Sequence, residues 1–230
     1  MPLTSPSPSK QSTRTTKAVL TRLTAGFQRF QNQWFCKDHN LYAELREGQN
    51  PLAMVIACSD SRVDPGLLTD SHPGDLFVIR NVANLVPPYA PDKAYHGVSA
   101  ALEYAVRHLH VPDIIVMGHA ECGGIQQLLD EGTDEDEFLG IWMQVIHRAR
   151  DIVNRLLPNA SPAERRRACE MWGIRVSLEN LLTFPWIREA VDAEQLTLHG
   201  WYFDLDNGEL LQLDPHSDEF TPLVTRCARP

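Results

Sequence analysis

Two short segments of the sequence carry residue types that bind metal ions. Cys58 opens the segment CSDSR, and His119 and Cys122 lie in the segment GHAECGG, where His119 is 61 positions after Cys58. Two thiolates and one imidazole suit zinc, which is borderline soft and prefers sulfur and nitrogen ligands in tetrahedral geometry. A structural zinc site would need a fourth protein ligand, whereas a catalytic site keeps that position for water. Because HxxC alone is a weak signal, the prediction depends on the two segments meeting in the fold.

Each of these segments directly follows a short apolar run. Such runs cover residues 52–57, 76–79 and 114–117, and their length and continuity indicate strands buried on both faces. Between the second and third runs, apolar residues from Val98 to Leu109 recur at helical spacing. This strand, helix, strand order predicts a parallel sheet, in which the carboxyl ends of neighbouring strands lie at the same edge. That edge would bring the two thiols and the imidazole together.

The rest of the chain predicts further helices and a terminal hairpin. We expect long helices over 138–157 and 163–184, and a hairpin over 196–213 with Asn207-Gly208 at its turn. The acidic segment between Asp130 and Glu137 is typical of a solvated loop. The predicted fold class is α/β, a single domain over 18–230 with a central, mainly parallel β-sheet flanked by helices.

The first part of the chain has a different composition. Residues 1–17 contain three Pro and many Ser, Thr and Lys, which predicts a disordered tail because few apolar side chains can offset the entropy of ordering. Apolar residues from Val19 to Phe30 recur at helical spacing and predict an N-terminal helical arm that packs on the domain or on a partner subunit. No acidic residue precedes Asp38, a pattern that also resembles an organelle transit peptide.

Composition excludes several classes of protein. With 230 residues, 43% hydrophobic and 22% charged, the chain is typical of a globular protein. Its net charge of −9 argues against a nucleic-acid partner. No apolar window is long enough to span a membrane, and the N-terminus lacks the apolar core of a secretory signal. We expect a soluble, cytoplasmic protein with no membrane partner, in which Cys36, Cys169 and Cys227 are plain thiols.

The two segments resemble the zinc-binding motifs of the beta carbonic anhydrases. Arg80-Asn81-Val82-Ala83-Asn84 matches a third motif of that family, and the similarity extends from about Lys17 to the end of the chain. The stretch 84–89 is similar to plant-like and bacterial members. The resemblance implies one Zn²⁺ per chain on Cys58, His119 and Cys122, and a homodimer or larger homo-oligomer. It implies reversible hydration of carbon dioxide to bicarbonate and a proton by attack of zinc-bound hydroxide.

The resemblance also assigns catalytic roles to two residues. Asp60 is expected to accept a hydrogen bond from the zinc-bound hydroxide, and Arg62 is expected to hold Asp60 through a bidentate pair. In some members this carboxylate binds zinc and closes the site. Members that close in response to bicarbonate carry Trp and Gly where this chain has Val55 and Ala57, so we predict an open site at neutral pH.

Further residues match the substrate site of the family. An apolar pocket suits carbon dioxide, which has no charge and hydrogen-bonds weakly. The matching positions are Gln49, Phe77, Val82, Tyr104 and Gly123. Gly123 would offer its backbone N–H to a bound anion, and Gly124 would ease close packing of the turn. The residues that could carry a proton away are candidates by residue type alone, namely His72, His96, His108 and His110.

Three other functions are compatible with these motifs. The same site could hydrolyse carbon disulfide or carbonyl sulfide instead of hydrating carbon dioxide. A catalytically silent, zinc-stabilised scaffold would have four protein ligands on the metal. A redox-active thiol protein would oxidise Cys58 and Cys122 reversibly with no metal present.

Overall fold

The computed structural model describes residues 16–36, 41–130 and 137–226. It divides the chain into two compact units, one up to Gln49 and one from Asn50 onward. Residues 1–15 of the predicted disordered tail and residues 131–136 of the acidic segment lie outside the described residues. Treating 18–230 as one domain stays a prediction.

The N-terminal unit contains the predicted helical arm. Helix α1 spans Thr16–Trp34 and helix α2 spans Leu41–Leu45. Aromatic rings join the two helices, with the Tyr42 ring centroid 4.4 Å from that of Phe35 and 5.6 Å from that of Phe30. The apolar face of α1 is exposed at Val19, Leu20, Leu23 and Phe27.

The larger unit is built around a six-stranded sheet in the order β2-β1-β3-β4-β5-β6. Its strands are β1 (Ala53–Cys58), β2 (Leu76–Asn81), β3 (Asp113–His119), β4 (Thr197–Asp204), β5 (Glu209–Leu213) and β6 (Phe220–Val224). Strands β1 to β4 run parallel to one another, β5 pairs antiparallel with β4, and β6 pairs antiparallel with β5. The predicted α/β fold with a mainly parallel sheet is confirmed, whereas β6 was not predicted.

Helices pack on this sheet and connect its strands. They are α3 (Pro65–Leu68), α4 (Gly97–Glu103), α5 (Gly123–Asp130), α6 (Leu139–Met143), α7 (His147–Leu156), α8 (Pro162–Leu181) and α9 (Pro185–Asp192). Tight 3₁₀ turns span Val82–Asn84 and Gln144–Ile146, and a π-helical turn spans Tyr104–His108. No helix within the described ranges is long and apolar enough to cross a bilayer.

The helices differ from the predicted ones in three places. The helix expected over 138–157 is broken into α6 and α7, because Ile146 leaves helical backbone angles (φ −116°, ψ 16°) in a stretch with β-branched residues. The helix predicted from Val98 to Leu109 consists of α4, which ends at Glu103, and the π-helical turn that follows it. The helix expected over 163–184 ends at Leu181, and Pro185 disfavours helical angles at Phe184 before it.

Helix α8 packs directly over β3 and β4. It begins with a capping box, in which Ser161 and Glu164 satisfy each other's backbone N–H groups, and Pro162 occupies the first turn. The helix lies so close to the sheet that a Cβ on Gly118 would come within 2.7 Å of Ile174 Cδ1. This close approach brings the buried face of α8 to the carboxyl end of β3.

Candidate metal centre

The three predicted metal ligands lie together at the carboxyl edge of the sheet. Cys58 is the last residue of β1 and His119 is the last residue of β3, and these strands are parallel neighbours. Cys122 directly precedes α5. The candidate ligand atoms of these residues all lie within 4.8 Å of one another, and the residues are 5%, 0% and 1% exposed, respectively. Among the described residues they form a buried cluster that could hold a metal ion.

The imidazole of His119 presents a free nitrogen to this cluster. Its Nδ1 lies 2.8 Å from the carbonyl oxygen of Ala120, and because a carbonyl only accepts, Nδ1 carries the proton. Within the described part of the chain, the buried Nε2 has no hydrogen-bond partner. A buried polar atom without a partner is costly, and a metal ion would satisfy it. The donor set therefore fits a metal.

The two thiols lie close enough to change each other's pKa. A hydrogen bond with Cys122 and the proximity of His119 lower the pKa of Cys58 to about 4, although burial opposes this shift. The same contact with Cys58, together with burial, raises the pKa of Cys122. Burial lowers the pKa of His119, but its contact with Cys58 outweighs burial and the net shift is upward. A bound cation would favour the thiolate form of both residues.

The loop from His119 to Cys122 is held from several directions. Glu121 has a left-handed backbone (φ 59°), which turns the chain between the two donors. Arg62 Nη2 donates to the Glu121 carbonyl oxygen at 2.9 Å, and Arg166 pairs with the Glu121 carboxylate at 3.0 Å. The Ala120 N–H donates to the Phe203 carbonyl oxygen at 2.9 Å. These contacts fix the loop to the segment after β1, to α8 and to β4.

Asp60 and Arg62 form the predicted bidentate pair. Arg62 Nε donates to Asp60 Oδ1 at 3.0 Å, and Nη2 donates to Oδ2 at 2.7 Å. The backbone N–H of Arg62 adds a third bond to Oδ1 at 2.9 Å. These bonds to Arg62 hold the pKa of Asp60 well below its usual range. In the described structure the carboxylate pairs with Arg62 and is not part of the ligand cluster.

The third motif positions the first ligand segment, a role that the sequence did not indicate. Arg80 Nε donates to the Cys58 carbonyl oxygen at 2.9 Å, and its Nη2 donates to the Asp60 carbonyl oxygen at 2.6 Å. Asn81 and Leu85 exchange two hydrogen bonds, of 2.9 and 2.7 Å, around the 3₁₀ turn. The guanidinium therefore fixes the exit of β1, and the amide fixes the turn that follows β2.

The predicted substrate residues lie in four places. Val82 lies against the first turn of α5, which directly follows Cys122, since a Cβ on Gly124 would come within 2.8 Å of Val82 Cγ1. Val82 also lines a mainly apolar cleft of about 510 Å³, whose other walls include Phe138 and Trp142. Phe77 and Tyr104 have ring centroids 5.9 Å apart. Gly123 is exposed at the start of α5, and Gln49 is exposed at the end of the N-terminal unit.

The remaining histidines and cysteines have varied surroundings. His96 lies 2.7 Å from Asp92, and the His108 ring centroid is 5.5 Å from that of Tyr104. Cys36 is exposed, and Cys227 lies outside the described residues. Cys169 is buried, and burial raises its pKa to about 12, which is typical of an unreactive thiol.

Sequence reasoning missed one residue at the centre, Glu170 on α8. Its Oε1 accepts the backbone N–H of Cys122 at 3.0 Å, and its Oε2 accepts the Tyr202 hydroxyl at 2.7 Å. Burial raises its pKa despite these two bonds. The sequence held one signal: Glu170 lies at helical spacing from Ile174, Ser177 and Leu181, so a carboxylate occupies the buried face of the helix.

Comparisons with known proteins agree with this geometry. Residues 53–210 match a family model described as carbonic anhydrase. A carbonic anhydrase from Pseudomonas aeruginosa is 40% identical over 200 residues, which cover 86% of this chain and 90% of that protein.

Solved structures give the same result. The beta carbonic anhydrase CcaA has 35% identity and a TM-score of 0.83, with 89% of this chain and 99% of that chain covered. A tetrameric beta carbonic anhydrase from Sordaria macrospora has 31% identity and a TM-score of 0.71, with 86% and 94% covered. From its sequence relatives and its structural neighbours alike, this chain belongs to the beta carbonic anhydrase family.

Proposed function

We propose that this protein is a zinc-dependent carbonic anhydrase that interconverts carbon dioxide and bicarbonate. The observation that carries the proposal is the buried cluster of two thiols and one imidazole, with donor atoms within 4.8 Å of one another. Membership of the beta carbonic anhydrase family supports the reaction, and the sulfur and nitrogen donors support zinc.

Bound zinc would supply Lewis acidity to a water molecule in the fourth position and so make a nucleophile near neutral pH. Two thiolates cancel the formal charge of the ion, so the water is less acidified than at a site with three neutral imidazoles. A neighbouring group that accepts a hydrogen bond from the bound water is therefore useful. Asp60 is the acceptor that we propose.

Arg62 would keep Asp60 in this role. Its two side-chain hydrogen bonds fix the plane of the carboxylate and keep it ionised, because the pKa of Asp60 lies below its usual range. Asp60 would accept a hydrogen bond from the nucleophile, so that a lone pair of the nucleophile stays directed at carbon dioxide. An Asp60 carboxylate held by Arg62 also supports an open site at neutral pH.

The substrate side of the proposal uses the residues around the loop. Val82, Phe77 and Tyr104 would provide apolar contacts for carbon dioxide, and the exposed N–H of Gly123 would contact the anionic product. That Gln49 contacts the substrate through its side-chain amide stays a prediction from the family resemblance. The close approach of Val82 to Gly124 supports this arrangement because it places an apolar side chain beside the first turn of α5, directly after Cys122.

We also propose that the protein is a homo-oligomer. The relative from Sordaria macrospora is tetrameric, and the apolar face of α1 is exposed within its own unit. Sedimentation velocity would show a dimer or larger species, and a monomer at working concentration would contradict the proposal. Cytoplasmic location stays a prediction.

The first test is stopped-flow hydration of carbon dioxide between about pH 6.5 and 9, with the metal content measured on the same preparation. We expect about one zinc per chain and activity that persists near pH 7. Asp60→Asn should lower the rate about 10- to 100-fold, and Asp70→Asn, an exposed carboxylate in a left-handed conformation that Asn tolerates, should leave it unchanged.

Other outcomes would each support a different function. Activity that appears only at alkaline pH would indicate that Asp60 closes the site. Zinc with turnover of carbon disulfide or carbonyl sulfide alone would indicate the related hydrolase, and zinc without any turnover would indicate a scaffold. Metal-free protein with reversible oxidation of Cys58 and Cys122 would indicate a thiol redox protein.

A further inference from the structure

Helix α8 and strand β4 place a buried carboxylate and phenol beside the metal loop. Glu170 is 4% exposed and Tyr202 is fully buried. The Tyr202 hydroxyl donates to Oε2 at 2.7 Å, and the Cys122 N–H donates to Oε1 at 3.0 Å. Each carboxylate oxygen therefore has one strong donor, and the carboxylate bridges a metal ligand and the sheet.

A buried carboxylate at position 170 is unfavourable for the stability of the fold. Burial of a carboxyl group is unfavourable unless hydrogen bonds replace the lost water, and an apolar side chain of similar size is often at least as stabilising. The neighbouring buried positions of α8 include Ile174 and Leu181. An apolar residue at position 170 could fill the same space, but it could not accept the Cys122 N–H.

Arg167 in turn contacts Tyr202, the residue that donates to Glu170. The Arg167 guanidinium lies 5.0 Å from the Tyr202 ring centroid and donates to Asp204 at 2.9 Å. One turn before Glu170, Arg166 pairs with the Glu121 carboxylate at 3.0 Å. Neighbouring turns of α8 therefore hold two consecutive residues of the loop that ends at Cys122.

We propose that Glu170 is a positioning residue for the metal ligand Cys122, with Tyr202 holding Glu170 in turn. The amide of Cys122 follows the left-handed residue Glu121, so a fixed acceptor for that amide determines where the thiol points. The proposal rests on the metal centre of the proposed function. It concerns how firmly that centre keeps its metal, which can be measured without any substrate.

The test compares two substitutions of similar size at position 170. Glu170→Gln keeps an oxygen that can accept the Cys122 N–H, whereas Glu170→Met fills similar space without an acceptor. Zinc loss from the loaded full-length protein to an excess of a coloured chelator gives the readout. We expect Glu170→Met to lose zinc about 10 to 100 times faster than the parent, and Glu170→Gln to stay close to the parent.

A matched control lies on the same helix. Ser177 is buried and accepts the Val86 N–H at 3.2 Å, so Ser177→Ala removes one buried hydrogen bond of α8 that does not lead to the metal loop. Ser177→Ala should retain zinc like the parent even if it lowers the thermal stability. If it loses zinc as fast as Glu170→Met, general loosening of α8 explains the effect and the proposal is wrong.

Cobalt replacement adds a spectroscopic readout. The absorption bands of Co²⁺ bound to thiolates should shift in Glu170→Met and not in Glu170→Gln. If Glu170→Met does not fold, Tyr202→Phe tests the same chain of contacts by removing only the hydroxyl, with a several-fold faster zinc loss expected. Parent-like zinc retention and parent-like cobalt spectra in a folded Glu170→Met or Tyr202→Phe protein would overturn the proposal. Zinc binding that depends on Glu170 in a protein without carbon dioxide hydration would overturn only the proposed function.

Discussion

Arg62 contacts both metal-binding segments with one side chain. It holds the Asp60 carboxylate through Nε and Nη2, and the same Nη2 donates to the Glu121 carbonyl oxygen at 2.9 Å. The planar guanidinium allows these contacts together, whereas a lysine ammonium is a point donor on a flexible stem. Arg62 therefore sets the position of Asp60, the proposed hydrogen-bond acceptor, relative to the loop from His119 to Cys122.

Replacing this arginine should separate activity from metal binding. Arg62→Lys keeps the charge but loses the bidentate geometry, so we expect the rate of carbon dioxide hydration to fall at least about tenfold while zinc content stays near that of the parent. Stopped-flow rates and metal analysis on one preparation check this. Arg155→Lys, at an exposed position of α7, is the control, and an unchanged rate in Arg62→Lys would show that the pair has no part in the reaction.

A second residue-scale prediction concerns Asp204. Its side chain is 1% exposed and accepts hydrogen bonds from Arg167, Asp206 and Asn207. Burial alone would raise the pKa of Asp204, but bonds from Asn207 and Arg167 outweigh it and the net shift is downward. A carboxyl with a lowered folded-state pKa stabilises the protein above its unfolded pKa of about 3.9, and this stabilisation is lost as pH falls through the folded value.

Asp204→Asn should therefore destabilise the protein in a pH-dependent way. We expect a loss of about 1 to 3 kcal/mol in the free energy of unfolding at neutral pH, because charged hydrogen bonds are lost. The difference from the parent should narrow below about pH 4. Urea titrations at several pH values measure it, with the exposed Asp192→Asn as the control. If the difference in unfolding free energy between Asp204→Asn and the parent does not change with pH, the conclusion that Asp204 is ionised in the folded protein is wrong.

At the scale of elements, the approach of α8 to the sheet limits what can occupy position 118. A Cβ there would lie 2.7 Å from Cδ1 and 2.9 Å from Cγ1 of Ile174, closer than real Cβ contacts. Gly118→Ala should cost about 1 to 3 kcal/mol through overpacking. Ile174→Ala removes both contacting atoms, so the double variant should be more stable than the sum of the single losses predicts. Urea unfolding of the four proteins measures this coupling, and strict additivity would refute the clash.

Sequence patterns predicted the elements that are regular and missed those set by tertiary contacts. The apolar runs predicted β1, β2 and β3 to within two residues, and β1 and β3 are apolar because they are buried along nearly their whole length. Strand β2 lies at the edge of the sheet and is only partly buried, so the prediction that it is buried on both faces is wrong. Strand β6 was missed because its side chains are mostly exposed and Pro222 interrupts it. The break between α6 and α7 was missed because helical periodicity does not record a local change of backbone angle.

The same distinction holds within the site. Cys58, His119 and Cys122 could be predicted from chemistry because their residue types are uncommon and directly follow predicted strands. The bond from Cys122 to Glu170 joins residues 48 positions apart, and the contacts of Arg80 join residues 16 to 22 apart, so neither has a local pattern. Tertiary packing of α8 and pairing of β1 with β2 create these contacts.

At the scale of the whole molecule, the metal should stabilise the folded state. The donors converge only in the fold, so a bound ion favours the folded over the unfolded chain. Free metal at a hundred times its Kd contributes about 2.7 kcal/mol, which for a chain of this size corresponds to a Tm increase of roughly 5 to 10 °C.

Removal of metal with a chelator should lower Tm by this amount. Added Zn²⁺ should restore the original value, while Mg²⁺ should not, because hard cations prefer oxygen ligands. Scanning calorimetry on the chelated and reloaded protein checks both statements. An identical Tm with and without zinc would contradict a metal site that links β1 to β3.

The position of β2 has a consequence for folding kinetics. Its residues lie between β1 and β3 in the sequence, yet in the sheet β2 lies on the far side of β1. The two ligand-bearing strands must therefore pair across a long intervening segment that contains β2 and α4. Such long-range parallel pairing is slow, and the donors converge only after it has formed. The zinc site should therefore be largely unformed in the transition state for folding. Bound zinc should slow unfolding in stopped-flow experiments and leave the refolding rate nearly unchanged. The ion would then determine how long the native protein persists rather than how quickly it forms.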